Sequence, residues 1–217
     1  YWLNGHGDML ANIGATELAD AALTRAMSIY EINEKPEGHF DRSVTLVGLG
    51  KVARDRGDLA TAEELMKEGL RIRESTIGVD NTFTQLARID LADVLFRQGR
   101  LTDARTEFDA ALAILEKKGQ SNHPTAAQAL TGLARVALTE GDYGVANDLL
   151  ARSIEMTETS IGRAHLDNLD RRLLIADATA GAGDPGRAKQ IRASATAQRE
   201  AIMNDWLASL EERGTES

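Results

Sequence analysis

Three of the four histidines fall in one register. His39, His123 and His165 each stand 18 residues before a glycine, at Gly57, Gly141 and Gly183. Neutral imidazole is a common ligand of zinc and other transition metals, so a shared metal site is the first chemistry such a row suggests. A metal needs its ligand nitrogens within about 2.0–2.1 Å. Equivalent residues of packed helical units lie about 8–10 Å apart, so the three cannot share one ion. The register predicts instead that they cap or bridge successive units. His6 stands alone.

Other chemistry finds no better footing. The chain has no cysteine, which removes thiolate nucleophiles, disulfides and thiolate metal sites. It has no G-x-S-x-G nucleophile elbow and no serine beside a base in a recognisable frame. Gly48-Leu-Gly50 falls inside a helical pattern and reads as helix-packing glycine, not as a phosphate cradle. Gly181-Ala-Gly183 reads as a turn. Carboxylate pairs such as Glu63-Glu64 and Glu211-Glu212 fit solvated helix faces. No catalytic residue, metal ligand or cofactor is expected, and the chain is read as not an enzyme.

The net charge of −9 argues against nucleic acid and anionic membrane as partners, because both demand a basic surface. No apolar run approaches the roughly 20 residues that span a bilayer. The cysteine-free composition suits a reducing compartment, and a cytoplasmic location is expected. The opening Tyr1-Trp-Leu-Asn lacks an initiator methionine and a signal-peptide layout, which reads as part of a longer protein.

The elements behind these residues repeat. Glycines at 14, 57, 99, 141 and 183 are spaced 43, 42, 42 and 42 residues apart, and Ala19, Ala62, Ala104, Ala146 and Ala188 keep the same steps. Eight residues before the last four glycines stand Leu49, Leu91, Leu133 and Ile175, each followed by a small residue. Residues 82–98 carry Leu86, Ile89, Val94 and Leu95 at helical spacing, with no internal Gly or Pro. Gly99 then ends that helix through a left-handed cap. A second helix starts near Leu101, with Ala104, Phe108, Ala111, Leu112 and Leu115 on one face. Asp58, Asp142 and Asp184 are placed to cap second helices, and Pro185 and Pro124 suit first turns. Each period is therefore a helix–turn–helix pair. One pair cannot bury its own apolar stripe, so neighbours must stack. The expected fold is all-α: a right-handed α-solenoid of about five such units at 1–38, 39–80, 81–122, 123–164 and 165–197. A terminal helix extension over 198–213, with Ile202, Trp206 and Leu210 on its stripe, is expected to cap the stack. The first helix, near residues 1–13, holds Gly5 and Gly7 and is a poor helix former.

This pattern resembles the tetratricopeptide repeat. Leu91-Ala92 followed by Ala104, Phe108 and Ala111 fits the family's large-small pair and A-x3-F-x2-A frame. Ala62-Met66-Gly69, Ala146-Leu150-Ser153 and Ala19-Leu23-Ala26 follow it, while Arg192 departs in Ala188-Arg192-Ala195. The long period and the connectors Gly78-Val-Asp-Asn, Ser121-Asn-His-Pro and Gly162-Arg-Ala-His are similar to the kinesin-light-chain type. The resemblance implies a concave groove lined by first helices. Carried over by column, that groove comprises Asn4 and Asp8; Val47, Lys51 and Arg54; Ile89, Asp93, Phe96 and Arg97; Thr131, Arg135 and Leu138; and Leu173 and Asp177. The cations in this row suit an extended or helical peptide with acidic and apolar side chains. The implied function is a noncatalytic protein–protein interaction module. Three alternatives are a regulatory or sensor segment of a larger bacterial signalling protein, such as a serine/threonine kinase or NTPase regulator; an enzyme in its own right, with a polar pocket hidden in the groove; and self-association through exposed solenoid ends.

Overall fold

The computed structural model describes the backbone of residues 2–32, 39–161 and 166–214, and the side-chain surroundings of 3–30, 39–158 and 168–204. His165 and Gly162 lie outside the described residues, as do the side chains of Trp206 and Leu210. Every regular element among the described residues is a helix. They group into two compact units, residues 1–118 and 119–217.

The first unit holds three helical pairs: α1 (Trp2–Asn12) with α2 (Thr16–Ile32), α3 (Phe40–Asp55) with α4 (Leu59–Thr76), and α5 (Thr82–Arg97) with α6 (Leu101–Lys117). Each first helix packs on its own second helix and on both helices of the preceding pair: α3 on α1 and α2, α5 on α3 and α4. The second unit repeats this with α7 (Pro124–Glu140), α8 (Tyr143–Ile161), α9 (Leu166–Gly181) and α10 (Pro185–Gly214). The terminal extension is continuous with the last second helix, since α10 runs unbroken through 30 residues.

Local chemistry sets the boundaries. The turn glycines take a left-handed backbone, for example Gly141 at φ 81°, where a Cβ would be strained. The histidine register is a capping register. Nδ1 of His39 and of His123 accepts the backbone N–H of Asp41 and of Thr125, each at 3.2 Å, and Asn81 Oδ1 accepts that of Phe83 at 2.9 Å. The aspartates after the turn glycines cap second helices as expected: Oδ1 of Asp58, Asp142 and Asp184 accepts the N–H of Thr61, Val145 and Arg187.

Small residues let the helices close on one another. Ala62, Met66, Ala104, Phe108, Ala146 and Leu150 are all buried. Gly48 is a packing glycine: a Cβ there would lie 2.8 Å from Leu23. Helix α1 forms despite its glycines, contrary to what propensity alone suggests. Gly7 is buried where a Cβ would come 2.6 Å from Leu23, so tertiary packing against α2 overrides the local cost. Arg192 keeps its place in the frame by turning outward, where it donates to Asp177 Oδ1 at 2.6 Å.

Candidate functional site

In the first unit a seam of charged and polar side chains joins the first helices α1, α3 and α5, beside the apolar packing of Ala11 against Val52. Lys51 on α3 is 4% exposed, and its ammonium donates to Asn12 Oδ1 at 2.9 Å and Asp8 Oδ1 at 3.0 Å, both on α1. On the other side it sits 3.4 Å from the Asp90 carboxylate of α5. One turn further, Arg54 bonds Asp55 at 2.9 Å and reaches Asp93 of α5 at 3.5 Å. Arg97 donates to the same Asp93 oxygen at 2.9 Å. Below this seam, Asn4 hydrogen-bonds the Tyr30 hydroxyl and the Asp41 carbonyl, and its Oδ1 accepts from Thr45 at 3.0 Å.

These contacts fix the electrostatics. Burial pulls the Lys51 ammonium down, but Asp90 and Asp8 more than offset it and its pKa is raised. Burial pushes the Asp90 carboxyl up against the pull of Lys51 and Arg54. Arg54 behaves like Lys51: burial works against its charge, and Asp55 and Asp93 outweigh that cost. Three cations, Lys51, Arg54 and Arg97, thus meet four carboxylates, Asp8, Asp55, Asp90 and Asp93.

The structure sorts the expected groove residues. Val47, Lys51 and Ile89 are closed off, at 1%, 4% and 6% exposure, so the expectation that they line open surface gives way to a core role. Val47 packs where Gly69 of α4 leaves room: a Cβ at Gly69 would lie 2.7 Å from it. Asn4 is buried as well. Asp8, Arg54, Asp93 and Phe96 are half-buried, and Arg97 is exposed. In the second unit Thr131, Arg135, Leu138 and Leu173 are half-buried and Asp177 is exposed. Thr131 Oγ1 is engaged by Ser153 Oγ at 2.9 Å and by Arg171 Nε at 3.0 Å. Sequence reasoning missed Asp90 and Asn12, which hold Lys51 down. The available signal was an acidic residue at 90, in a column that holds Gly48 and Gly132 in neighbouring repeats. Among the described residues no group of three or more His, Asp or Glu could hold a metal ion. No helix there is long and apolar enough to cross a membrane.

Hairpins stacked in register, with a left-handed glycine at each turn and small residues at the helix contacts, define an α-solenoid of helical repeats. Tetratricopeptide repeat profiles match residues 44–82 and 84–159. The chain belongs to the tetratricopeptide repeat family. No curated protein matches it. Among solved structures, it is similar to the nearly identical TPR-like repeats of a chain assigned as a kinesin light chain from Podosopora anserina, at 19% identity and a TM-score of 0.68, covering 93% of this chain and 95% of that one. BtubC (BKLC) from P. vanneervenii aligns at 15% identity and a TM-score of 0.70, over 90% and 78% of the two chains. MamA aligns at 18% identity and 0.55, over 91% and 96%. The fold and family make this a protein–protein interaction module.

Proposed function

We propose that the chain is a noncatalytic module that binds a peptide or protein segment along its first helices. The observation that carries this reading is the seam across α1, α3 and α5, where polar side chains from three successive first helices meet beside half-buried Phe96. The ligand chemistry follows from what remains accessible. Lys51 is locked between Asp8 and Asp90 and is unavailable. Arg97 is the most exposed cation of the seam, at 43% of its side chain, and holds Asp93 by an exposed pair worth about 0–1 kcal/mol. A ligand carboxylate can exchange for Asp93 there, with an apolar side chain seated on Phe96. This narrows the acidic and apolar preference to one end of the seam. The test is a random peptide library selected on the wild-type chain. Selected peptides should lose at least about tenfold in affinity on Arg97→Glu, a loss of about 1.4 kcal/mol. They should be indifferent to Arg71→Glu, a charge on second helix α4. Equal sensitivity to both, or to neither, counts against the proposal.

A second reading has its own observation. Val52 is buried against Ala19 and Leu23 of the preceding pair, and Ala178 against Ala137 and Ala146 of its own predecessor. The same column in α1 is Met9, which is 51% exposed, with Ile13 at 71% beside it. Such an apolar face suits packing against a further helical pair, which a second copy of the chain can supply. Light scattering across concentrations should then show an oligomer that Met9→Glu dissolves; a monomer at every concentration rules it out.

A further inference from the structure

Inside the first unit, one polar clasp recurs between each second helix and the pair that follows. The residue just before a turn glycine reaches back to the residue six past the previous turn glycine. Arg56 donates to Asp20 at 2.7 Å and to Glu17 at 2.9 Å, both on α2. Gln98 donates to Glu63 at 2.9 Å and to the Leu59 carbonyl at 3.1 Å on α4, and Arg100 adds a donor to Glu63 at 2.8 Å. In the second unit the same two positions hold Asn147 on α8 and Ala182 at the turn after α9. A methyl group cannot donate. Asn147 Oδ1 is accordingly buried with no hydrogen-bond partner. An orphaned buried acceptor costs about 1–3 kcal/mol and calls for an explanation.

The missing side chain also leaves space. A cleft of about 440 Å³ opens between α8, the α9–α10 turn and the start of α10. Its walls are Ala151, Ile175 and Ile191, and its rim carries the exposed side chains of Asp148 and Arg187. Asp184, also on the rim, is held by the Arg187 N–H at 2.9 Å. Two carboxylates against one guanidinium give the rim a net negative charge.

We propose that this cleft binds an arginine side chain of a partner polypeptide, which supplies the clasp the chain lacks. Arg56 shows within this molecule what fills the equivalent position. A guanidinium offers donors in a planar fork, enough to meet the Asp148 carboxylate and, with the Asn147 amide turned toward the cleft, its Oδ1 as well. Its aliphatic stem lies over Ile175 and Ile191, where apolar wall and polar rim match the two parts of the side chain. Arg187 is left on the rim to meet a carbonyl of the same peptide. The site lies on the second-helix side and shares no residue with the first-helix row, so it does not depend on the proposal above.

The test is a two-dimensional amide NMR titration of the full chain with N-acetyl-arginine amide. Shifts should localise to residues 147–151 and 175–191. N-acetyl-citrulline amide, which keeps the shape but not the charge, and N-acetyl-norleucine amide should bind at least tenfold more weakly. Ala182→Gln and Ala182→Arg should restore the internal clasp, raise the melting temperature and weaken probe binding at least tenfold. Asn147→Asp should tighten it, and this variant keeps the test decisive if Ala182→Arg folds poorly. Equal binding of the citrulline probe, shifts outside the cleft, or undiminished binding by Ala182→Gln would overturn the assignment.

Discussion

Lys51 shows how little a residue's type says about its availability. By column it belongs to the row that faces a ligand, yet three side chains, Asp8, Asn12 and Asp90, close around it. Removing it leaves the Asp90 carboxylate buried without its nearest cation. Breaking a buried pair from one side costs about 3–5 kcal/mol, so Lys51→Ala should lower stability by that order in a urea melt. Arg97→Ala, at the exposed end of the same seam, should stay within about 0.5 kcal/mol of wild type. Similar losses for the two variants would mean that Lys51 is less enclosed than its contacts indicate. The pairing itself was not legible in the sequence. Lys51 and Asp90 are 39 residues apart rather than 42, because the contact runs diagonally between columns of adjacent helices. Column arithmetic finds equivalent residues, and it does not find which columns touch.

At the scale of helices and their junctions, packing and local signals divide the work. Turn glycines, the aspartate caps and the His39 and His123 caps were readable because each acts within a few residues of itself. Propensity alone underrates helix α1 because its stability comes from packing on α2. Its two glycines separate the effects. Gly5 has open space around it, so Gly5→Ala should stabilise by about 0.5–1 kcal/mol through helix propensity. Gly7 faces Leu23 at 2.6 Å, and Gly7→Ala should destabilise by about 1–3 kcal/mol through overpacking. Melts of the two single variants check this, and matching signs would refute it. The α4–α5 clasp makes a pH prediction. Lys67, with Gln98 and Arg100, holds the Glu63 carboxyl down to about 2 despite partial burial, against about 4.3 in an unfolded chain. Its stabilising contribution is complete above that unfolded value and fades as pH falls toward 2. Between pH 5 and 2.5, Glu63→Gln should therefore lose less melting temperature than wild type does. Parallel curves would show that the clasp contributes nothing through Glu63's charge.

For the whole molecule, the periodicity alone determines the architecture. Five glycines in step fix where chains turn, and stacking follows because no single pair can bury its stripe. Function is less legible for the same reason: every repeat must satisfy the stack, and only side chains left over from that task can serve a partner. Val47, Ile89 and Lys51 are spent on the stack, while Arg97 and the α8–α10 cleft are not. The most direct measurement of the central claim is hydrogen exchange with and without a library-selected peptide. First helices α3 and α5 should gain protection while α4 and α6 exchange as before; protection confined to α4 and α6 would contradict binding along the first helices.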